Sequence, residues 1–283
     1  MTISIGAALR EAAKTLDHAG VAEARREASS LLAHVMQKDR TFLISHAEDL
    51  LADTKLQEFE AAVARRANGE PSQYITGVQD FYGRSFRVTA DVLIPRPETE
   101  LLVEAALEVM DENARICDVG TGSGCIAVTL LCERADARAV AADVSQAALA
   151  VALENAIANG VERRIVLEVS DCFASFDPKT QQFDLIVSNP PYVSAAALPG
   201  LQREVRDYEP LVALSPGGDG LTVIRRLLTE APAFLKDNGH LIFEIGFDQG
   251  EAVRELINPT VWSLKQILPD LQGIPRIVVL QKN

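Results

Sequence analysis

Residues 183–192 read Phe183-Asp184-Leu185-Ile186-Val187-Ser188-Asn189-Pro190-Pro191-Tyr192. The first six residues are mostly apolar or β-branched, a composition typical of a buried parallel strand. Pro190 and Pro191 have no backbone N–H, so neither continues a strand ladder, and each favours an extended conformation in the residue before it. The sequence therefore predicts a strand over residues 183–188 that ends in a stiff, non-helical tip.

The tip, Asn189–Tyr192, offers hydrogen-bond acceptors and one aromatic ring. The side-chain oxygen of Asn189 and the carbonyl of Pro190 suit the two hydrogens of an –NH2 group, and Tyr192 adds an apolar face and a hydroxyl. Asn189, Pro190 and Tyr192 are therefore candidate catalytic residues, and the whole tip, Pro191 included, is a candidate substrate site. Taken alone, the tetrapeptide is more often a plain turn.

The chain around this strand alternates between strand and helix patterns. The predicted strands are 115–119, 138–142, 164–169, 183–188, 240–245, 263–268 and 276–280, and helices are predicted at 98–110, from the first strand through 130, at 145–158, 221–235 and 249–257. This alternation predicts a doubly wound α/β fold, with a mostly parallel seven-stranded sheet and helices on both faces.

The N-terminal part has a different pattern, with apolar residues at helical spacing throughout residues 1–72. It predicts a small all-helical domain for contact with a substrate protein or for stability alone. Its third helix is expected to start with a capping box at Thr54 and Gln57. Residues 73–92 predict a β-hairpin linker, and 93–283 form the α/β domain.

The composition excludes several function classes. The net charge is −13; residues 1–75 hold 9 Lys and Arg against 11 Asp and Glu, so the remaining 18 against 29 place −11 in the larger part. Because a nucleic-acid backbone attracts the opposite charge, direct nucleic-acid binding is not expected. No apolar run reaches transmembrane length and no secretory signal is visible, so we expect a cytoplasmic protein without membrane contact.

The cysteines and histidines give no sign of a metal site. Four cysteines occur without a C-x-x-C pair, and four histidines are scattered without ligand spacing. Reduced core thiols are the expected state of the cysteines. We therefore predict no metal cofactor.

A glycine-rich loop follows the first predicted strand and reads Asp118-Val119-Gly120-Thr121-Gly122-Ser123-Gly124-Cys125. Glycines at alternate positions allow a tight turn and a close approach of a ligand, and the helix behind them presents free N–H groups. A G-x-G-x-G spacing with an acid before it resembles the first motif of class I methyltransferases, which bind S-adenosylmethionine. The resemblance implies a cofactor site on Gly120, Thr121, Gly122, Ser123 and Gly124.

Two acids end the next two predicted strands. Asp143 suits the two hydroxyls of a ribose, and Asp171, with the neighbouring Cys172, suits the edge of an adenine ring, with Phe173 as an apolar wall. Ligands of open α/β sheets bind at the edge that carries these strand ends. Asn189 is expected to border the same site, so that a methyl donor and an –NH2 acceptor meet there.

Taken together, these motifs closely resemble the protein-(glutamine-N5) methyltransferases that modify peptide chain release factors. The resemblance covers nearly the whole chain, and its most specific parts are Pro95–Glu100 (Pro-Arg-Pro-Glu-Thr-Glu) and the Asn-Pro-Pro-Tyr tip. It implies methylation of the glutamine in the Gly-Gly-Gln loop of a release factor, with S-adenosylhomocysteine as the second product. Position 172 is often aromatic in that family and is cysteine here.

Three alternatives remain open from the residues alone. A ribosomal-protein glutamine would fit the tip equally well, as would the amino group of adenine or guanine in a nucleic acid, although base-flipping enzymes need a basic channel. A nucleotide-binding adaptor with a degenerate site is the non-enzymatic alternative, and the intact acceptor tip speaks against it.

Overall fold

The computed structural model describes residues 3–283. It contains two compact units, one formed by the N-terminal residues through Val78 with Gln202–Tyr208, the other by Gln79–Leu201 with Glu209–Asn283. The α-helices are α1 (Ile5–His18), α2 (Ala24–Met36), α3 (Arg40–Ser45), α4 (Asp53–Ala67), α5 (Ser72–Thr76), α6 (Glu100–Val109), α7 (Cys125–Glu133), α8 (Gln146–Ala158), α9 (Arg203–Tyr208), α10 (Leu211–Leu214), α11 (Thr222–Glu230) and α12 (Gly250–Leu256). The β-strands are β1 (Val78–Phe81), β2 (Arg84–Arg87), β3 (Arg115–Val119), β4 (Arg138–Asp143), β5 (Ile165–Val169), β6 (Phe183–Ser188), β7 (Leu235–Glu244), β8 (Trp262–Pro269) and β9 (Pro275–Lys282). Across residues 3–283, every helix is too short or too polar to cross a lipid bilayer.

The first unit is a helical bundle, as the apolar periodicity predicts. Helices α1, α2 and α4 pack around a core that includes Leu16, Leu31 and Phe59. The predicted capping box at Thr54 and Gln57 is wrong. Helix α4 already begins at Asp53, and its N-cap residue is Ala52, whose side chain has no acceptor for a capping hydrogen bond.

Helix α9 belongs to this bundle although it comes much later in the chain. The buried guanidinium of Arg66 donates to Glu27 at 2.9 Å and to Glu204 of α9 at 2.6 Å. The hydroxyl of Tyr208 donates to the carbonyl of Asn68 at 3.1 Å. The compact unit therefore includes Gln202–Tyr208, a segment outside the predicted range 1–72.

The second unit contains a seven-stranded sheet with the order β5-β4-β3-β6-β7-β9-β8. All neighbouring pairs are parallel except the two that involve β9. Side chains alternate between two cores, so Ile116 and Leu185 pack with α6 and α7, whereas Ile186 packs with α11 and α12. The predicted doubly wound α/β fold is therefore confirmed, with helices on both faces.

Most predicted elements of this unit lie where the sequence placed them, and β3 and β6 have the predicted bounds. The helix predicted over 221–235 is shorter, because α11 ends at Glu230 and β7 already begins at Leu235. Ala231-Pro232-Ala233 forms a single 3₁₀ turn between them, since the proline has no N–H to continue the α-helix. The predicted hairpin is present as the two-stranded sheet β1-β2.

A single buried amide joins this hairpin to the glycine-rich loop. Asn155 of α8 is 1% exposed, and its side chain accepts from the N–H of Arg87 at 2.7 Å and donates to the Arg87 carbonyl at 3.0 Å. The same –NH2 group donates to the carbonyl of Ser123 at 2.8 Å. Asn155 therefore satisfies two part-buried backbone groups of Arg87 and one buried carbonyl, that of Ser123.

We predict that Asn155→Ala lowers the free energy of unfolding by about 2–3 kcal/mol, since a buried polar group left without a partner, here the Ser123 carbonyl, costs about 1–3 kcal/mol and the lost bonds to Arg87 add to it. The measurement is denaturant unfolding. Asn159→Ala is the matched control at the C-cap of α8, where the side chain makes one hydrogen bond to the carbonyl of Asn155, and we expect a loss of about 1 kcal/mol or less. Equal losses in the two variants would contradict the role assigned to Asn155.

Candidate active site

The glycine-rich loop and the Asn-Pro-Pro-Tyr tip meet at one point of the sheet. Strands β3 and β6 are parallel neighbours, with Cys117 opposite Ile186, and the chain changes direction across the sheet between them. The hydroxyl of Ser188 donates to the carbonyl of Val119 at 2.6 Å, which joins the two strand ends. A crevice at such a switch point is the usual ligand site of an open α/β sheet.

A cavity of about 220 Å³ occupies this crevice. Most of the predicted site residues line it: Gly120, Thr121, Gly122, Ser123, Asp143, Asp171, Cys172, Asn189, Pro190 and Pro191. Gly124 and Tyr192 are not among its lining residues. Thr99 and Ser215 are, although the sequence analysis gave neither a role in the site.

Gly124 shapes the loop from behind the cavity. It precedes α7 with φ of +80°, a conformation that glycine adopts at no steric cost. A methyl group placed on it would lie 3.1 Å from the side chain of Ala152, so the loop also needs the small residue for close packing against α8.

Two acids hold the glycine-rich loop in place. Asp118 accepts from the hydroxyl of Thr121 at 2.7 Å and from the N–H of Ala127 at 3.3 Å. Burial raises the pKa of Asp118 to about 7, although these two hydrogen bonds lower it and the charge of Asp143 raises it further. The two oxygens of Asp143 accept from the N–H groups of Gly122 and Ser145, both at 2.9 Å.

The turn Asp171-Cys172 is fixed by an arginine that the sequence analysis did not single out. Arg226 of α11 donates to the carboxylate of Asp171 at 2.6 Å and to its carbonyl at 3.0 Å. Cys172 lines the cavity with φ of +51°. Burial raises the pKa of the Cys172 thiol to about 11, so it is protonated at neutral pH.

Phe173 does not form the predicted apolar wall of the cavity. Its ring is buried and stacks on Phe234 with 4.8 Å between the ring centroids, and its edge meets Phe176. The side chain therefore belongs to the core below the sheet edge. The reason is local, because the positive φ of Cys172 turns the cysteine towards the cavity and the next residue away from it.

A buried carboxylate organises the acceptor tip. Glu244, at the end of β7, is 1% exposed; one of its oxygens accepts from the hydroxyl of Thr99 at 2.7 Å, the other from the hydroxyl of Tyr192 at 3.0 Å. Thr99 in turn accepts from the side-chain –NH2 of Asn189 at 3.1 Å. Burial raises the pKa of Glu244, and the two hydroxyl hydrogen bonds lower it.

Tyr192 differs from the prediction in its position. Its side chain does not line the cavity and is instead partly buried against the core that contains Phe243. Burial, the charge of Glu244 and the hydrogen bond to it raise the pKa of Tyr192, so its hydroxyl remains a donor to Glu244. In this geometry Tyr192 supports the tip from behind.

The end of α10, the loop that follows it and Gln249 also support the tip. The N–H of Val193 donates to the carbonyl of Leu214 at 2.9 Å, and the side-chain amide of Gln249 donates to the carbonyl of Tyr192 at 2.9 Å. Gly220 packs directly against this stretch, with φ of +82°. The loop over residues 215–220 therefore supports the tip and contributes Ser215 and Pro216 to the cavity.

The arrangement places the carboxylate of Asp143, the glycine-rich turn and the side-chain amide of Asn189 around one cavity. Within residues 3–283, no cluster of histidine, cysteine and acidic side chains suits a metal ion. The polar groups that face the cavity fit a ligand with hydroxyls on the Asp143 side and a hydrogen-bond donor on the Asn189 side.

We predict that Gly220→Ala lowers the free energy of unfolding by about 1–3 kcal/mol more than Gly217→Ala. The added methyl group would lie 2.2 Å from the carbonyl oxygen of Tyr192, whereas Gly217 has a similar φ, +79°, with open space around it. The control therefore carries the backbone strain without the overlap. Equal losses on denaturant unfolding would mean that the tip is not packed against Gly220.

Two family models and a solved structure are similar to this chain. Residues 7–77 match the family called PrmC N-terminal domain, and residues 97–205 match the family called Methyltransferase small domain. The crystal structure of a methyltransferase from Pyrococcus furiosus superposes on this chain with a TM-score of 0.53 at 16% identity. The match covers 77% of this chain and 96% of that chain. At that identity the similarity concerns the fold alone.

Two relatives match over nearly their full lengths. The release factor glutamine methyltransferase of Cereibacter sphaeroides is 49% identical over 96% of this chain and 96% of the relative. The protein of the same name from Koribacter versatilis is 42% identical over 97% of each. The chain therefore belongs to the release factor glutamine methyltransferase family.

Proposed function

We propose that this protein transfers a methyl group from S-adenosylmethionine to the side-chain amide nitrogen, N5, of the glutamine in the Gly-Gly-Gln loop of peptide chain release factors. The observation that carries the proposal is that the glycine-rich loop and Asn189-Pro190-Pro191 of the tip line one cavity at the switch point of the sheet. The relatives that match over nearly their full lengths are named release factor glutamine methyltransferase, which supports the proposal.

The residues around the cavity fit S-adenosylmethionine. Each oxygen of Asp143 accepts one backbone N–H and keeps a lone pair for a ribose hydroxyl, since a carboxylate has about four acceptor sites. The turn Asp171-Cys172 and the loop Gly120–Gly124 complete the proposed site, with Gly124 acting through the shape of the loop. When bound, S-adenosylmethionine supplies the electrophilic methyl group and leaves as S-adenosylhomocysteine.

The proposed task of the tip is to position a weak nucleophile. The lone pair of an amide nitrogen is delocalised, so its alignment with the methyl group decides the rate. The side-chain oxygen of Asn189 and the carbonyl of Pro190 each accept one hydrogen of the amide and favour the positive charge that develops on nitrogen. The surplus proton leaves after transfer, and Tyr192 holds the tip in place through Glu244.

The remaining parts of the proposal concern the partner and the compartment. The helical unit, which includes the match to the PrmC N-terminal domain, is proposed to contact the release factor. Because release factors act on the ribosome, we place the reaction in the cytoplasm. The net charge of −13 speaks against direct binding of the nucleic acid there.

We expect the purified protein to transfer a labelled methyl group from S-adenosylmethionine to a purified release factor. A release factor whose Gly-Gly-Gln glutamine is replaced by alanine should stay unlabelled. Ribosomal proteins, RNA and DNA serve as alternative acceptors in the same assay. Equal labelling of the replaced release factor, or labelling of another acceptor in its place, would reject the assignment.

We predict that Asn189→Ala reduces kcat by about 10²–10³-fold, or about 2–4 kcal/mol in the barrier, because the amide loses an acceptor that acts in the transition state. Single-turnover kinetics give the rate, and calorimetry gives the affinity for S-adenosylmethionine, which should change little. If the affinity fell as much as the rate, Asn189 would be a cofactor ligand first.

A further inference from the structure

The side chain of Asn189 has two ends of opposite character, and the reaction at the tip depends on which end faces the cavity. We infer that Thr99 and Glu244 are positioning residues that turn the oxygen of Asn189 towards the cavity, so that the site selects a nitrogen donor over an oxygen acceptor. The inference rests on the proposed function and adds the residues that set its selectivity.

The orientation follows from counting hydrogens along the chain of contacts. A threonine hydroxyl has one hydrogen. The hydroxyl oxygen of Thr99 lies 2.7 Å from a carboxylate oxygen of Glu244, so this hydrogen is donated to the carboxylate, which is a strong acceptor. The oxygen of Thr99 is then left to accept, so the group that Asn189 presents to it at 3.1 Å is the –NH2. The side-chain oxygen of Asn189 is therefore the end that Thr99 does not hold. Asn189 lines the cavity, and we infer that this oxygen is the end that faces it.

The same carboxylate is held on both of its oxygens. Tyr192 donates to the second oxygen at 3.0 Å, and Glu244 lies at the end of β7 beside β6, where Phe243 is paired with Ser188. Burying a carboxylate costs several kcal/mol unless hydrogen bonds satisfy it. The hydroxyl of Thr99 therefore cannot rotate away from Glu244 without leaving one buried carboxylate oxygen short of a donor.

The consequence for selectivity is chemical. A glutamine amide oriented for N-methylation presents N–H donors, which match the oxygen of Asn189. A glutamate carboxylate presents only acceptors, which match the –NH2 end instead. Without the hydroxyl of Thr99, the Asn189 amide has no fixed preference, and both orientations become populated. Thr99 is thus expected to affect the rate of amide methylation and the discrimination against a carboxylate.

The test compares Thr99→Val, which keeps the shape and removes the hydroxyl, with Thr99→Ser, which keeps the hydroxyl. We expect Thr99→Val to lower kcat about tenfold to a hundredfold with the calorimetric affinity for S-adenosylmethionine within about threefold, and Thr99→Ser to remain within about threefold of the unmodified protein in both. A release factor with Gly-Gly-Glu in place of Gly-Gly-Gln serves as competitive inhibitor. The ratio of its inhibition constant to the KM of the natural loop should fall about tenfold in Thr99→Val and should not change in Thr99→Ser.

A second measurement does not depend on turnover or on the folding of Thr99→Val. In protein labelled with ¹⁵N-asparagine, the side-chain amide hydrogens of Asn189, assigned by their loss in Asn189→Ala, should exchange slowly with solvent in the unmodified protein and in Thr99→Ser. Exchange as fast as in a free asparagine, or a Thr99→Val variant that matches Thr99→Ser in kcat and in discrimination, would overturn the inference. If the unmodified protein methylates no release factor, the proposed function fails, and the slow exchange alone would still assign the orientation of Asn189.

Discussion

The parallel pairing of β3 with β6 is the constraint on which the rest of the site depends. The chain runs outward from β3 through β4 to β5 and returns to β6 on the other side of β3. The segments that follow β3 and β6 therefore diverge from a common crevice, and the hydroxyl of Ser188 bonded to the Val119 carbonyl closes the sheet just below it. A glycine-rich loop and a double-proline tip become a single site only because this pairing places them there.

The sequence predicted those parts of the site that depend on short stretches of chain and on the general topology of α/β sheets. The strands β3 and β6 are short apolar runs bounded by glycine and proline, and both were placed with the correct bounds. The cavity-lining positions of Asp143 and Asn189 followed from the rule that ligands bind at the carboxyl ends of such strands. These features could be predicted because each depends on residues close together in the chain.

The features that the sequence did not predict depend on contacts between distant residues. The hydrogen bonds of Glu244 with Thr99 and Tyr192 join positions 145 and 52 residues away, and no spacing rule connects them. Helix α9 joins the bundle through Arg66 and Glu204, which are 138 residues apart. The wrong prediction for Phe173 has a local origin, since a positive φ at Cys172, a non-glycine residue, gave no signal in the sequence.

The tip also explains why so much buried polar structure surrounds a short stretch of chain. Two consecutive prolines remove two backbone donors, so the ladder that holds β6 to its neighbours cannot continue through Pro190 and Pro191. Support must come from side chains and from other loops, and it does: Glu244 holds Tyr192, Gln249 holds the Tyr192 carbonyl, and Leu214 pairs with the backbone of Val193. The two prolines that end the strand ladder are thus the residues that require a second, buried layer of hydrogen bonds to hold the tip in place.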